Sequence, residues 1–210
     1  MRNAMNAVWW QIIVAVVSGA LVGGLSQGIC AFIRFLRRPR LQLYLDADDE
    51  KTRPIRQISG TEHQGRWIAI WARNAPRCGK QTAKYCKPIL KRIDRLAEDG
   101  TSEEETGFVR DRLPWAGMGG GAEGARGYSD RDIDKEDPLK ISLGLVSDGS
   151  PNLWHVEMQP TVVPAGRKTC FEPGTYRVTV RLYSENAPWT EKQFLVHHTG
   201  VWDQLSITDV

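Results

Sequence analysis

From Asn3 to Ile33 no side chain is charged, and Val8 to Leu36 contains no acidic residue. About 20 consecutive apolar residues suffice to carry a helix across roughly 30 Å of hydrocarbon. The pattern therefore predicts one transmembrane helix over 8–38, behind a short head at 1–7. Trp9 and Trp10 sit at one end, where indole rings favour the membrane interface, and Arg34, Arg37, Arg38 and Arg40 close the other. Pro39 disfavours helical geometry at Arg38 and ends the helix there. The run is too long for the apolar core of a cleaved signal peptide, and no A-x-A site follows it. Ile29 before Cys30 also fails the small-residue requirement of a lipoprotein cleavage site.

Beyond the arginines the period changes from helical to two. Leu41-Gln-Leu-Tyr-Leu45 alternates as a half-buried strand does, and the acids of Asp46 to Glu50 then make a solvated turn. Arg66 to Asn74 is apolar on both faces over six residues, which predicts a central strand covered on both sides. Leu139 to Leu145, Trp154 to Met158 and Tyr176 to Leu182 alternate again and read as further strands. Lys80 to Ala97 is divided. Leu90, Ile93, Leu96 and Ala97 have helical spacing with Gly100 just beyond, whereas Tyr85 to Ile93 alternates as a strand in which Pro88 belongs on an edge. Glu98 to Asp137 carries twelve acidic residues against five basic ones and the Gly-rich run 117–127. It reads as a flexible acidic insertion of about 98–137, in which only Leu113-Pro-Trp115 looks able to pack. The final residues, Val201 to Val210, either dock or fray.

Two segments resemble bacterial immunoglobulin-like modules, including the cell-adhesion-related type (CARDB). The first is a strand ending at Asn74, a turn holding Gly79, and Thr82-Ala83-x-x-Cys86 leading into a second strand, with Pro76, Arg77 and Cys78 inserted. The second is Glu172-Pro-Gly-Thr-Tyr176 opening a strand that runs to Asn186, followed by Glu191 to Val196, like the last hairpin of such sandwiches. The resemblance implies a mainly β, Ig-like β-sandwich over 40–210 and favours strand for Tyr85 to Ile93. It implies no activity, because sandwiches of this kind host unrelated roles.

Charge changes the picture mainly by where it lies. Five of the 28 basic residues fall in the first forty positions, where there is no acid, so 23 remain to face all 25 acidic residues. The soluble part is thus net −2, and the basic character belongs to the anchor rather than to a surface for polyanions. Arginines immediately after the span outweigh Arg2, which predicts an inner-membrane protein with its N-terminus outside and its domain cytoplasmic. Cys30 lies within the span, and three scattered thiols, Cys78, Cys86 and Cys170, suit a reducing compartment.

Candidate contacts follow from these placements. Ala15, Gly19 and Gly23, and Ala20, Gly24 and Gly28, recur every four residues and offer a small-residue face for a homodimer through the helix. Arg73 to Arg95 holds eight basic residues with only Asp94 in opposition. With Arg34, Arg37 and Arg38, the residues Arg73, Arg77, Lys80, Lys84, Lys87 and Lys91 are candidates for a lipid headgroup or a partner protein, unless the acidic insertion neutralises them. Single-stranded nucleic acid stacking on Trp67, Trp71 and Tyr85 is a weaker reading, since those aromatics are expected in the core. No metal or cofactor is expected, because Cys78 and Cys86 are eight apart and Cys170 is distant from both. Cys170 with His155 as base has no nucleophile motif around it. The expectation is a single-pass, non-catalytic binding or assembly module, against a tethered hydrolase or metal enzyme with a dispersed site.

Overall fold

A computed structural model of the chain describes residues 26–46, 52–56, 62–105, 112–116, 129–155 and 170–210. The alternating segments become two antiparallel sheets of six strands each. In the first, β1 (Leu41–Tyr44) and β2 (Thr52–Arg56) share one side of β3 (Glu62–Asn74). The order then continues through β7 (Leu139–Ser147), β8 (Ser150–His155) and β9 (Cys170–Phe171). The second is built likewise around β4 (Ala83–Leu96), one side of which is shared by β5 (Ser102–Glu104) and β6 (Arg131–Ile133). Its other side pairs with β10 (Gly174–Tyr183), followed by β11 (Thr190–His198) and β12 (Ser206–Asp209). One buried cluster draws on both sheets, with Leu43, Ile70 and Ile141 from the first and Leu90, Val178 and Phe194 from the second. The mainly β sandwich is therefore present, and its last strand docks rather than frays.

β4 resolves the divided segment, and its irregularities explain the division. Its register shifts between Ala83 and Cys86, and again where Leu90 faces Val180 but Arg92 faces Thr179. An extra residue at each bulge lets Ala83 and Cys86, and then Leu90 and Ile93, all point inward at a spacing of three. A strand with two bulges thus imitates a helical period. Pro88, which has no N–H to give, sits between the stretches of β4 that β6 and β5 cover.

Three sequence expectations need correction. The acidic insertion is not simply a linker: it supplies β5 and β6, and Ile133 is fully buried. Arg112 bridges to Ile89 of β4 and Trp115 to Ile141 of β7, so Leu113-Pro-Trp115 closes the space between the sheets. Run 117–127 lies outside the described residues. Second, β3 is central but not covered on both faces. Ile68, Ile70 and Ala72 are buried, whereas Trp67, Trp71 and Arg73 alternate on the outer face. Third, Trp67 and Trp71 are accordingly not core residues. Trp67 Nε1 donates to Ser142 Oγ, and Trp71 stacks on Tyr44 with ring centroids 6.5 Å apart.

Helix α1, over 26–37, is the C-terminal part of the predicted span, and it stops before Pro39 as expected. No helix among the described residues is long and apolar enough to cross a membrane. Most of the predicted span, including Ala15, Gly19, Gly23 and Gly24, lies outside those residues.

Candidate membrane-proximal interface

The end of α1 is fastened to the sandwich by backbone and side-chain bonds around one residue, Asn74. Its amide is buried at the end of β3, where Oδ1 accepts from Arg40 N at 3.0 Å. Nδ2 donates to Gln81 O at 2.6 Å and to Ile133 O at 3.2 Å. One side chain therefore joins the α1–β1 connection, the β3–β4 turn and β6. Cys78 N donates to Leu36 O at 3.1 Å and Ala75 N to Arg40 O at 2.8 Å, so the turn also receives a carbonyl freed at the helix C-terminus. The Arg77 guanidinium lies 5.2 Å from the Phe35 ring centroid, a cation–π contact that holds the turn against the helix.

Opposite this junction is the β10–β11 turn. Asn186 Oδ1 accepts from Lys84 N at 2.8 Å and its Nδ2 donates to Thr82 O at 3.0 Å, tying the turn to the start of β4. Trp189 follows and is 54% exposed, yet the Arg181 guanidinium sits 4.2 Å over its ring. Arg181 is itself held by Glu191 at 2.7 Å, so the indole is presented rather than loose. Between turn and helix lies an open cleft of about 290 Å³.

The basic strip divides into groups with different surroundings. Lys80 pairs with Glu136 at 3.0 Å and Lys84 with Asp132 at 2.7 Å, while Arg92 lies 2.6 Å from Asp94 and 3.8 Å from Glu104. Apart from Asp94, these partners all come from the acidic insertion. The bond to Asp132 raises the pKa of Lys84, and the same bond lowers that of Asp132. Arg73 is occupied on the outer face of the first sheet, donating to Gln42 at 2.9 Å and lying 4.9 Å from the Tyr44 ring. Lys87 is exposed and Lys91 half-buried on β4, far along the strand from α1 in sequence. Arg34, Arg37 and Arg38 are exposed at the end of α1, and Gly28 faces open space where a Cβ would meet nothing. Among the described residues no carboxylate pairs with Arg34, Arg37, Arg38, Arg40 or Arg77. The sequence groups Arg40 with the other arginines of this end but gives no sign of Trp189, because only the fold brings the β10–β11 turn beside the helix.

The four thiols occupy three different settings. None is in a disulfide: Cys30 and Cys78 are exposed, Cys170 is half-buried, and Cys86 is buried with its pKa pushed by burial from about 9 to about 11. A thiol so placed is a poor nucleophile. Cys170 and His155 are register partners across β9 and β8. No group of three His, Cys, Asp or Glu able to hold a metal occurs among the described residues. No family model, curated protein or solved structure matches the chain.

Proposed function

We propose that the chain is a single-pass membrane protein that displays an Ig-like sandwich on the cytoplasmic side as a non-catalytic binding or assembly module. The observation that carries this reading is the asymmetry of charge at the end of α1. Lys80, Lys84 and Arg92 face carboxylates of the insertion, whereas the arginines flanking the apolar run have none among the described residues. That is the arrangement that the interfacial end of a membrane helix needs. The Asn74 junction makes the helix a fixed stem for the domain, which suits a protein whose work depends on where its surface is held.

The Ig-like assignment is supported by details inside the sandwich. Tyr176, near the start of β10, donates its hydroxyl to Glu172 O at 2.7 Å, which is the geometry of a tyrosine corner. The neighbours β4, β10 and β11 follow the C, F and G strands of an Ig domain, and β1, β3 and β7 follow A, B and E. β8 departs from that scheme, since it follows the strand paired with β3 instead of preceding it.

The test is affinity purification of the full chain through its intact anchor after in-cell cross-linking. A protein partner recovered in stoichiometric amount, and lost when the stem is cut at Pro39, supports the module. Stable expression with no cross-linked protein partner overturns it in favour of the tethered-enzyme alternative.

A further inference from the structure

We infer that the cleft between α1 and the β10–β11 turn is a binding site for the headgroup of an anionic glycerophospholipid. The inference rests on the membrane-anchored reading above and assigns that anchor a specific lipid contact.

The cleft has two chemically different walls. Arg38, Arg40 and Arg77 line it, and no carboxylate among the described residues pairs with any of them. Guanidinium groups suit phosphate in particular, because their fixed fork of donors matches two phosphate oxygens at once. Phe35, Pro188 and Trp189 line it as well, with the two aromatic rings 51% and 54% exposed. The cleft thus sets exposed aromatic rings beside guanidinium groups. They fit the zone where a phosphate and the first carbons of an acyl chain lie side by side, which is also where indole rings concentrate in membrane proteins.

Position favours a lipid over a soluble phosphate compound. Phe35 lies in the last turn of α1, at 1.5 Å of rise per residue only a few ångströms from the helix end at 37. The apolar run that precedes it ends at Ile33, so the cleft opens at headgroup depth. Net positive charge also selects within lipids. A zwitterionic headgroup would bring its own cation towards three arginines, whereas an anionic one leaves its phosphate unopposed. Trp189 is held by Arg181, and Arg77 by its contact with Phe35, so the walls are in place before a ligand arrives.

Native mass spectrometry of the full chain, released from mild detergent with phosphatidylglycerol or phosphatidylcholine added, tests the inference. Wild type should retain phosphatidylglycerol in preference to phosphatidylcholine. The double variant Arg38→Gln/Arg77→Gln should retain it about thirtyfold less, each charge near the headgroups being worth close to a factor of five. Trp189→Ala should weaken retention, and Arg73→Gln, on the outer face of the first sheet, should not. Equal retention of the two lipids, an unchanged double variant, equal loss in Arg73→Gln, or displacement by inorganic phosphate would overturn the site. An alkaline carbonate wash of the membranes separates the two failures. A chain left in the pellet without lipid preference defeats only the site, whereas a chain released by the wash defeats the anchor and the site with it.

Discussion

Asn74 shows how much one side chain carries when it ends a central strand. Its three bonds serve backbone groups on three segments: the α1–β1 connection, the β3–β4 turn and β6. Removing a partner that satisfies buried polar groups costs more than the net value of the bonds, about 1–3 kcal/mol for each group left alone. Asn74→Ala should therefore lose about 3 kcal/mol in urea unfolding followed by tryptophan fluorescence. Asn74→Asp should lose at least as much, because a carboxylate accepts but cannot donate to Gln81 and Ile133. Cys86 makes a second prediction, this time in pH. Burial raises its pKa in the fold from about 9 to about 11, so the folded chain holds this proton more tightly than the unfolded one. Stability from the neutral thiol is complete below pH 9 and is lost as pH rises through 11. Between these values wild type should lose about 1.4 kcal/mol per pH unit more than Cys86→Ala does, measured by urea midpoints across an alkaline series.

At the scale of the element, β4 carries the conflict between local pattern and fold. Tyr85 occupies its first bulge with φ of +50°, a left-handed conformation that costs a non-glycine residue about 1–2 kcal/mol. Its ring is 58% exposed, so little packing offsets that strain. Tyr85→Gly should match or exceed wild-type stability by about 0.5 kcal/mol, after the entropy glycine adds to the unfolded chain. Tyr85→Val, β-branched at the same φ, should be less stable than either, so thermal unfolding of the three proteins should order them Gly, Tyr, Val. The same bulge shows why this strand was only half legible. Regular strands such as β10 declare themselves, because every second residue from Tyr176 to Leu182 is buried. β4 inserts two residues into its period, and Ala83 and Cys86, or Leu90 and Ile93, then mimic a helix face. β5 and β6 were hidden differently. They are three residues long and rich in acids, and they are held by β4 and by ion pairs to Lys84 and Arg92 rather than by their own pattern. Likewise, Trp67 and Trp71 suggested core by size alone. Nothing local reveals that Tyr44, Trp71 and Lys140 form a row across β1, β3 and β7 on the outer face.

For the whole molecule, the distribution of charge decides more than its sum. A net charge of +3 describes neither part of the chain, since the first forty residues are basic and the rest is net −2. The fold sharpens this division by folding the acidic insertion back onto β4, where it pairs with Lys80, Lys84 and Arg92, while the arginines where α1 leaves the sandwich have no carboxylate among the described residues. If those arginines set the orientation, the β3–β4 turn lies on the cytoplasmic side, just beyond the headgroups. Cys78 in that turn is an exposed native probe, whereas Cys86 is buried with its thiol held neutral by burial. A membrane-impermeant maleimide should thus leave the protein unlabelled in intact spheroplasts and label it after permeabilisation, with Cys78→Ser abolishing most of the signal. Labelling of Cys78 in intact spheroplasts would reverse the topology. The domain would then work outside the cell, and the arginines at the stem would owe their lack of carboxylates to headgroup binding alone rather than to orientation.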